Sequence, residues 1–255
     1  LRETISVRDG REDGMRIKIL GTGTSIPSLK RGSSSYVVHG AGKTILIDAG
    51  PAVVRRLLEF GYVVDDIDIL IITHFHVDHT ADLSTFLFAC NYGLTAREKP
   101  LSLIGGQGMH KFFRGLKAVY PWLAPKHYLL TVKSLPSGSI EEDGLRIETK
   151  KMNHNRESIG VTLIVDGTRC VITGDTDYSS NLVSLARDAK LLIAECAFPE
   201  KKVKGHMNLE TLKRVVGEAK PQRVILTHLY PDWDDFRGIL HAPLLLGEDG
   251  LEIRL

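Results

Sequence analysis

The sequence predicts an α/β fold built as one layered domain. Three observations carry that expectation. Apolar, often β-branched runs alternate with stretches that fit helices along the whole chain. Strand after strand ends in an acid or an imidazole: Ile47-Asp48, Thr73-His74, Gly174-Asp175, Ala194-Glu195 and Thr227-His228. The 255 residues contain no low-complexity segment, short-period repeat or dividing linker, and one layered domain often reaches that length undivided.

Taken in order, residues 1–14 are charged rather than apolar and read as an N-terminal extension, with the folded domain expected over residues 15–255. Met15, Ile17 and Ile19 open a strand at 16–20, and further strands are expected at 35–38 and 44–48. A helix at 52–60 leads to a mostly apolar strand at 67–73 and a second helix at 81–92. A strand at 101–104, a helix at 109–119 and strands at 128–132 and 145–149 follow. Asp166-Gly167 supplies a tight turn between strands at 160–165 and 170–173. A helix at 181–188, a strand at 191–195, a helix at 209–219 and a strand at 224–227 complete the reading. Asn208 is placed to cap the last helix, and Lys220-Pro221 to end it.

Composition narrows the function classes. Hydrophobic residues at 43% and charged residues at 25% exclude disordered and fibrous chains. No apolar run is long enough to span a membrane, and the start of the sequence has no secretory character. A net charge of +2 is too mild to argue for nucleic acid. Cys90, Cys170 and Cys196 are odd in number and widely spaced, so they read as buried free thiols in a reducing, cytoplasmic compartment.

Acids and imidazoles at the carboxyl ends of apolar strands suggest one site along a common rim. The centre of that pattern is Thr73-His74-Phe75-His76-Val77-Asp78-His79, which crowds three imidazoles and a carboxylate behind an apolar strand. Burying such a cluster is costly unless its members are paired or bound to metal. Alternate side chains of a turn can point inward together, so His74 and His76 can share one ion while Asp78 and His79 reach a second. Further candidates stand beside later strands: His154, Asp175 and His228. His39, His110, His127 and His241 have no such setting and read as ordinary histidines.

THFHVDH, NHNRESIG, ITGDT and ILTH, in that order, resemble the metal motifs of the metallo-β-lactamase superfamily, and within it the tRNase Z-like phosphodiesterases. Leu20-Gly21-Thr22-Gly23-Thr24-Ser25-Ile26-Pro27 resembles the opening strand and loop of that branch, and Ile45-Leu46-Ile47-Asp48-Ala49-Gly50 resembles its aspartate motif. The resemblance implies an αββα sandwich with a binuclear centre at one edge. It implies that His74, His76 and His154 hold one ion, that Asp78, His79 and His228 hold the other, and that Asp175 bridges them. Two divalent ions about 3.5–4 Å apart would hold a bridging hydroxide, and Asp78 beside it would accept a proton. Zinc suits these ligands, with manganese or iron as alternatives. Asp48 would orient a ligating histidine.

The resemblance also pairs Glu195 with His206 beside the leaving group, the imidazole giving a proton and the carboxylate holding it in place. Lys201, Lys202 and Lys204 read as a solvated charge run.

The tRNA-processing members carry a long Gly- and Pro-rich arm, and neither the segment between His79 and His154 nor that between His154 and Asp175 leaves room for one. The armless relatives include phosphoribosyl cyclic phosphodiesterase, which the segments around Arg223 and Gly247 also resemble. That enzyme has a cysteine-rich metal site near its start, which this sequence lacks. The expected activity is therefore hydrolysis of small or cyclic phosphodiesters, with no membrane partner and with a homodimer allowed. The alternatives are a tRNA 3′ endonuclease and a lactone, ester or β-lactam hydrolase.

Overall fold

The computed structural model describes residues 14–93 and 95–255; nearly all of the expected N-terminal extension lies outside them. Two seven-stranded sheets make up the body of the molecule. The first is built from β1 (Arg16–Gly21), β2 (Ser35–Gly40), β3 (Lys43–Ile47), β4 (Ile69–Ile72), β5 (Leu101–Gly105) and β6 (Leu130–Ser134). The second holds β7 (Gly138–Glu142), β8 (Leu145–Lys151), β9 (Ile159–Val165), β10 (Thr168–Ile172), β11 (Leu191–Glu195), β12 (Val224–Thr227) and β13 (Leu244–Leu246). The last strand, β14 (Glu252–Arg254), returns to the first sheet and pairs antiparallel with β1.

The sheets share one design. The order β14-β1-β2-β3-β4-β5-β6 is antiparallel up to β3 and parallel after it. The order β7-β8-β9-β10-β11-β12-β13 is antiparallel up to β10 and parallel after it. The β9–β10 hairpin closes through Asp166-Gly167 with both residues left-handed (φ 49° and 76°), the geometry a two-residue turn requires.

Period-two alternation in the strands gives each sheet two apolar faces. Ile45, Ile47 and Ile71 point inward and meet Leu163, Ile172 and Ile193 in the core between the sheets. Leu46, Leu70 and Ile72 point outward, where α1 (Val53–Glu59), α3 (Leu83–Tyr92) and α4 (Met109–Val119) cover them; a short α2 (Val77–Thr80) precedes α3. Val171, Leu192 and Leu226 are covered in the same way by α5 (Ser180–Ala186) and α6 (Leu209–Ala219). The result is the αββα sandwich the motifs implied. Asn208 caps α6, its side chain accepting from the Thr211 amide at 2.9 Å.

Some elements differ from the sequence reading. The strand expected at 67–73 narrows to β4, and the one at 128–132 slides to β6. Strands β7, β13 and β14 and helix α2 were not anticipated. Among the described residues, the stretch from His79 to His154 is taken up by α3, β5, α4, β6, β7 and β8, and that from His154 to Asp175 by β9 and β10. Among the described residues, no long arm leaves either segment. No helix among the described residues is long and apolar enough to cross a membrane.

Candidate metal centre and active site

The first sheet supplies one half of the site from the ends of β3 and β4. Asp48, just past β3, is buried in a left-handed conformation (φ 61°). Its Oδ1 accepts from the Thr73 amide at 2.7 Å, and its Oδ2 accepts from the Thr73 hydroxyl at 2.8 Å and lies 2.7 Å from His79 Nδ1. This fixes the His79 ring and turns its Nε2 toward the centre. His74 and His76 flank Phe75 in the turn after β4, and α2 then brings Asp78 and His79 back to the same spot.

The second sheet supplies the other half. Asp175 follows β10, His154 lies between β8 and β9, and His228 follows β12 in a left-handed conformation (φ 55°). Backbone strain of this kind is held only where surrounding structure enforces it, and it collects at functional sites. Gly174 is left-handed (φ 58°), and a Cβ there would stand 2.8 Å from that of Thr73, so glycine lets Asp175 approach the first sheet. The Gly205 carbonyl lies 2.8 Å from His154 Nδ1, leaving Nε2 to face inward.

The Asp175 carboxylate stands between two groups of side chains. Its Oδ2 lies 3.5 Å from His74 Nε2 and 3.9 Å from His154 Nε2. Its Oδ1 lies 3.4 Å from His79 Nε2 and 3.3 Å from His228 Nδ1. Ligand atoms of His74, His76, His154 and Asp175 all fall within 4.8 Å of one another, and so do those of Asp78, His79 and His228. All seven expected ligands are thus brought together, while His39 sits away on β2 against Tyr62.

The donor set fits divalent metal. His74 Nε2, His79 Nε2, His228 Nδ1 and Asp175 Oδ1 are buried with no protein hydrogen-bond partner, a costly arrangement that a cation would relieve. Burial, aided by the His79 charge, holds His74 well below the usual histidine range, and burial takes His228 down to about 4 and lowers His154. Burial opposes ionisation of Asp175, but the surrounding imidazoles His228, His79 and His74 keep it well below the usual carboxylate range. Neutral imidazoles around an ionised carboxylate are the protonation states that metal binding needs. His79 departs from this: burial lowers it, yet the Asp175 and Asp48 carboxylates on either side push it well up. A cation at Nε2 would take the place of that proton.

Beside the centre, Glu195 at the end of β11 is buried. Its Oε1 accepts from the Thr176 amide at 2.7 Å and lies 3.0 Å from His206 Nδ1, while its Oε2 accepts from the Ala197 and Met207 amides at 3.3 and 3.2 Å. Burial pushes this carboxyl up to about 7. Burial would lower His206, but its hydrogen bond to Glu195 and the Glu195 charge carry it above its ordinary value. His206 ring atoms come within 4.8 Å of the Asp175 and His228 ligand atoms, so the imidazole borders the centre. Lys202 is engaged elsewhere, donating to Asp177 at 2.7 Å and Thr211 at 2.8 Å.

Two neighbours of the ligands escaped the sequence reading. The Asn155 amide lies 2.8 Å from His76 Nε2, and His76 Nδ1 faces His154 Nε2 at 3.2 Å. With its amide oxygen turned to accept from Nε2–H, Asn155 would aim Nδ1 at the centre. Its position beside His154 was the available signal. The other is Tyr230, two residues after His228, whose ring stands edge-on to His206 and His228 with centroids 6.4 and 6.0 Å away.

A family model described as "Anti-Pycsar protein Apyc1" matches residues 15–242. The chain is 28% identical over 222 residues to "Probable metallo-hydrolase YhfI" of Bacillus subtilis (strain 168), covering 84% of this chain and 87% of that protein. The crystal structure of YhfI superposes with a TM-score of 0.79 at 24% identity, covering 95% of this chain and all (100%) of YhfI. Human tRNase Z, short form, superposes with a TM-score of 0.77 at 21% identity, covering 93% and 98% of the two chains. A diphosphatase from the PhnP family gives a TM-score of 0.70 at 20% identity, covering 94% and 98%.

Proposed function

The chain belongs to the family of the anti-Pycsar protein Apyc1, and on that footing we propose that it hydrolyses small phosphodiesters, cyclic ones among them, with two divalent ions, most suitably zinc. It is a metal-dependent hydrolase of the metallo-β-lactamase fold. The observation that carries the finer reading is the Asp175 carboxylate, split between two imidazole groups with the Glu195–His206 pair alongside. A closed structural zinc site has four ligands and no adjoining acid–base pair, whereas this one has donors for two ions and a proton donor beside them.

His74, His76 and His154 would hold one ion and Asp78, His79 and His228 the other, with Asp175 shared. Bound there, the ions would polarise the phosphoryl group and favour ionisation of water. Asp78, buried beside His79, accepts a proton from the attacking water. His206 donates one to the departing alkoxide through Nε2, because Nδ1 is held by Glu195. An acyl substrate has less need of this donor, which favours phosphorus over a lactone or β-lactam. With no arm to grip tRNA among the described residues, small substrates are favoured over precursor tRNA. The buried free thiols Cys90, Cys170 and Cys196 suit a reducing compartment such as the cytoplasm.

The test is a parallel assay of zinc- or manganese-loaded protein on bis-p-nitrophenyl phosphate, a cyclic nucleotide, a precursor tRNA and a lactone. Turnover of the two small diesters with weak tRNA and lactone activity is expected. Site-specific tRNA 3′ cleavage without small-diester turnover would overturn the proposal.

A further inference from the structure

Resting on the reading of His228 as a metal ligand, we propose that Asp249 is a positioning residue for the ion that His228 helps to hold. Asp249 fixes Thr22, and Thr22 fixes the backbone beside His228. Asp249 is not one of the seven ligands. It lies in the connection from β13 to β14, where the chain crosses from the second sheet to the first.

His228 needs such support. It is left-handed (φ 55°), a conformation that a residue other than glycine keeps only where its surroundings enforce it. Both of its chain neighbours are gripped from the first sheet. On one side the Tyr36 hydroxyl donates to the Thr227 side chain at 2.9 Å. On the other the Leu229 amide donates to the Thr22 carbonyl at 2.8 Å. Thr22, just past β1, is therefore a handle on the ligand.

Asp249 holds that handle still. Its Oδ1 accepts from both the amide and the hydroxyl of Thr22, at 2.9 and 2.8 Å. Its Oδ2 accepts from the Gly32 amide at 2.7 Å and from Arg56 Nη2 at 3.1 Å. An ionised carboxylate has about four lone-pair sites, and these four donors fill them. The same connection is tied to both sheets: the Gly247 amide donates to the Leu226 carbonyl at 2.9 Å, and the Gly250 amide to the Ile19 carbonyl at 2.8 Å. Asparagine cannot serve all four donors, because its NH2 group would have to face one pair of them. Thr22 is fully buried, so water does not replace a bond it loses.

The experiment measures zinc binding to metal-free protein by competition with a chromophoric chelator, for wild type, Asp249→Asn, His228→Ala and the double variant. Groups that orient a metal ligand carry about 10–100-fold in affinity. Asp249 acts through Thr22, so Asp249→Asn should weaken one zinc affinity by about tenfold, the low end of that range, and leave the other unchanged. In the His228→Ala background the same substitution should do nothing further, because the ligand it positions is gone. Asn208→Ala removes a helix cap and reports the effect of lost stability alone; it should bind zinc as the wild type does. Should Asp249→Asn fail to fold, Thr22→Val, which deletes only the hydroxyl bond, takes its place, with a smaller loss that again requires His228. Zinc binding unchanged in the variant that folds, an equal loss with and without His228, or an equal loss in Asn208→Ala overturns the proposal. A His228→Ala variant that binds both zinc ions like the wild type refutes the reading of His228 as a ligand, and the positioning role with it.

Discussion

His206 is the residue where metal binding and proton transfer can be told apart. Its Nδ1 is committed to Glu195 at 3.0 Å, so a proton passed to the leaving group must come from Nε2. His206→Ala should lower turnover of an alkoxide-leaving diester by about 10²–10⁴ while metal content stays the same. p-Nitrophenolate is stable as an anion, so the loss on bis-p-nitrophenyl phosphate should be much smaller. The pH profile carries the same signature. Burial pulls the His206 pKa down, but the hydrogen bond and charge of Glu195 raise it above the ordinary 6.5. A general acid works only when protonated, so this contribution is full below that raised pKa and disappears as pH rises through it. Glu195→Gln removes the raising charge, and the alkaline limb should move to lower pH. Equal losses on both leaving groups, or a metal missing from the His206 variant, would count against the role.

At the scale of elements, α6 begins three residues after His206, and Asn208 fixes where it starts. The Asn208 side chain accepts from the Thr211 amide at 2.9 Å and donates to the Glu200 carbonyl at 2.8 Å. Asn208→Ala should cost about 1 kcal/mol of stability, as loss of a helix cap usually does, read as a lower melting temperature. That cap was legible in the sequence because an Asn directly before a helical run has one strong use. The central strands were legible for a related reason: burial on both faces writes them as continuous Ile, Leu and Val. β7 was not, because its residues are mostly exposed and polar at a sheet edge, where no apolar pattern is imposed. β13 and β14 have three residues each, too few to show a period. The turn holding His74 to His79 was legible as chemistry but not as structure: α2 spans only Val77–Thr80, less than a helical signal needs. The side chains gathered at the centre were legible because each stands beside an apolar strand in a recognisable motif. Tyr230 was not, since a lone tyrosine in a loop carries no motif and its place depends on the Phe198 stack and the Ala197 carbonyl.

For the whole molecule, the centre is a joint between two halves. Asp48, His74, His76, Asp78 and His79 come from the first sheet, and His154, Asp175 and His228 from the second. Protein contacts across this edge include the Ile159 amide donating to the Thr73 carbonyl at 2.9 Å, the Leu229 amide donating to the Thr22 carbonyl at 2.8 Å, and the Tyr36 hydroxyl donating to Thr227 at 2.9 Å. Ions that draw ligands from both sheets would bind the folded state and have no comparable site in the unfolded chain. Their binding energy would then act on the whole sandwich rather than on one loop. At a free metal concentration a hundredfold above Kd, one site adds about 2.7 kcal/mol, which for a domain of this size raises the melting temperature by about 5–10 °C. Chelator-treated protein should melt lower by at least that amount, in a single transition, and recover on addition of zinc or manganese. Asp175→Asn should blunt the recovery more than Asp78→Asn, because its carboxylate faces both groups while Asp78 belongs to one. A melting temperature indifferent to chelation, in protein whose activity the chelator abolishes, would mean that the ions do not couple the two sheets.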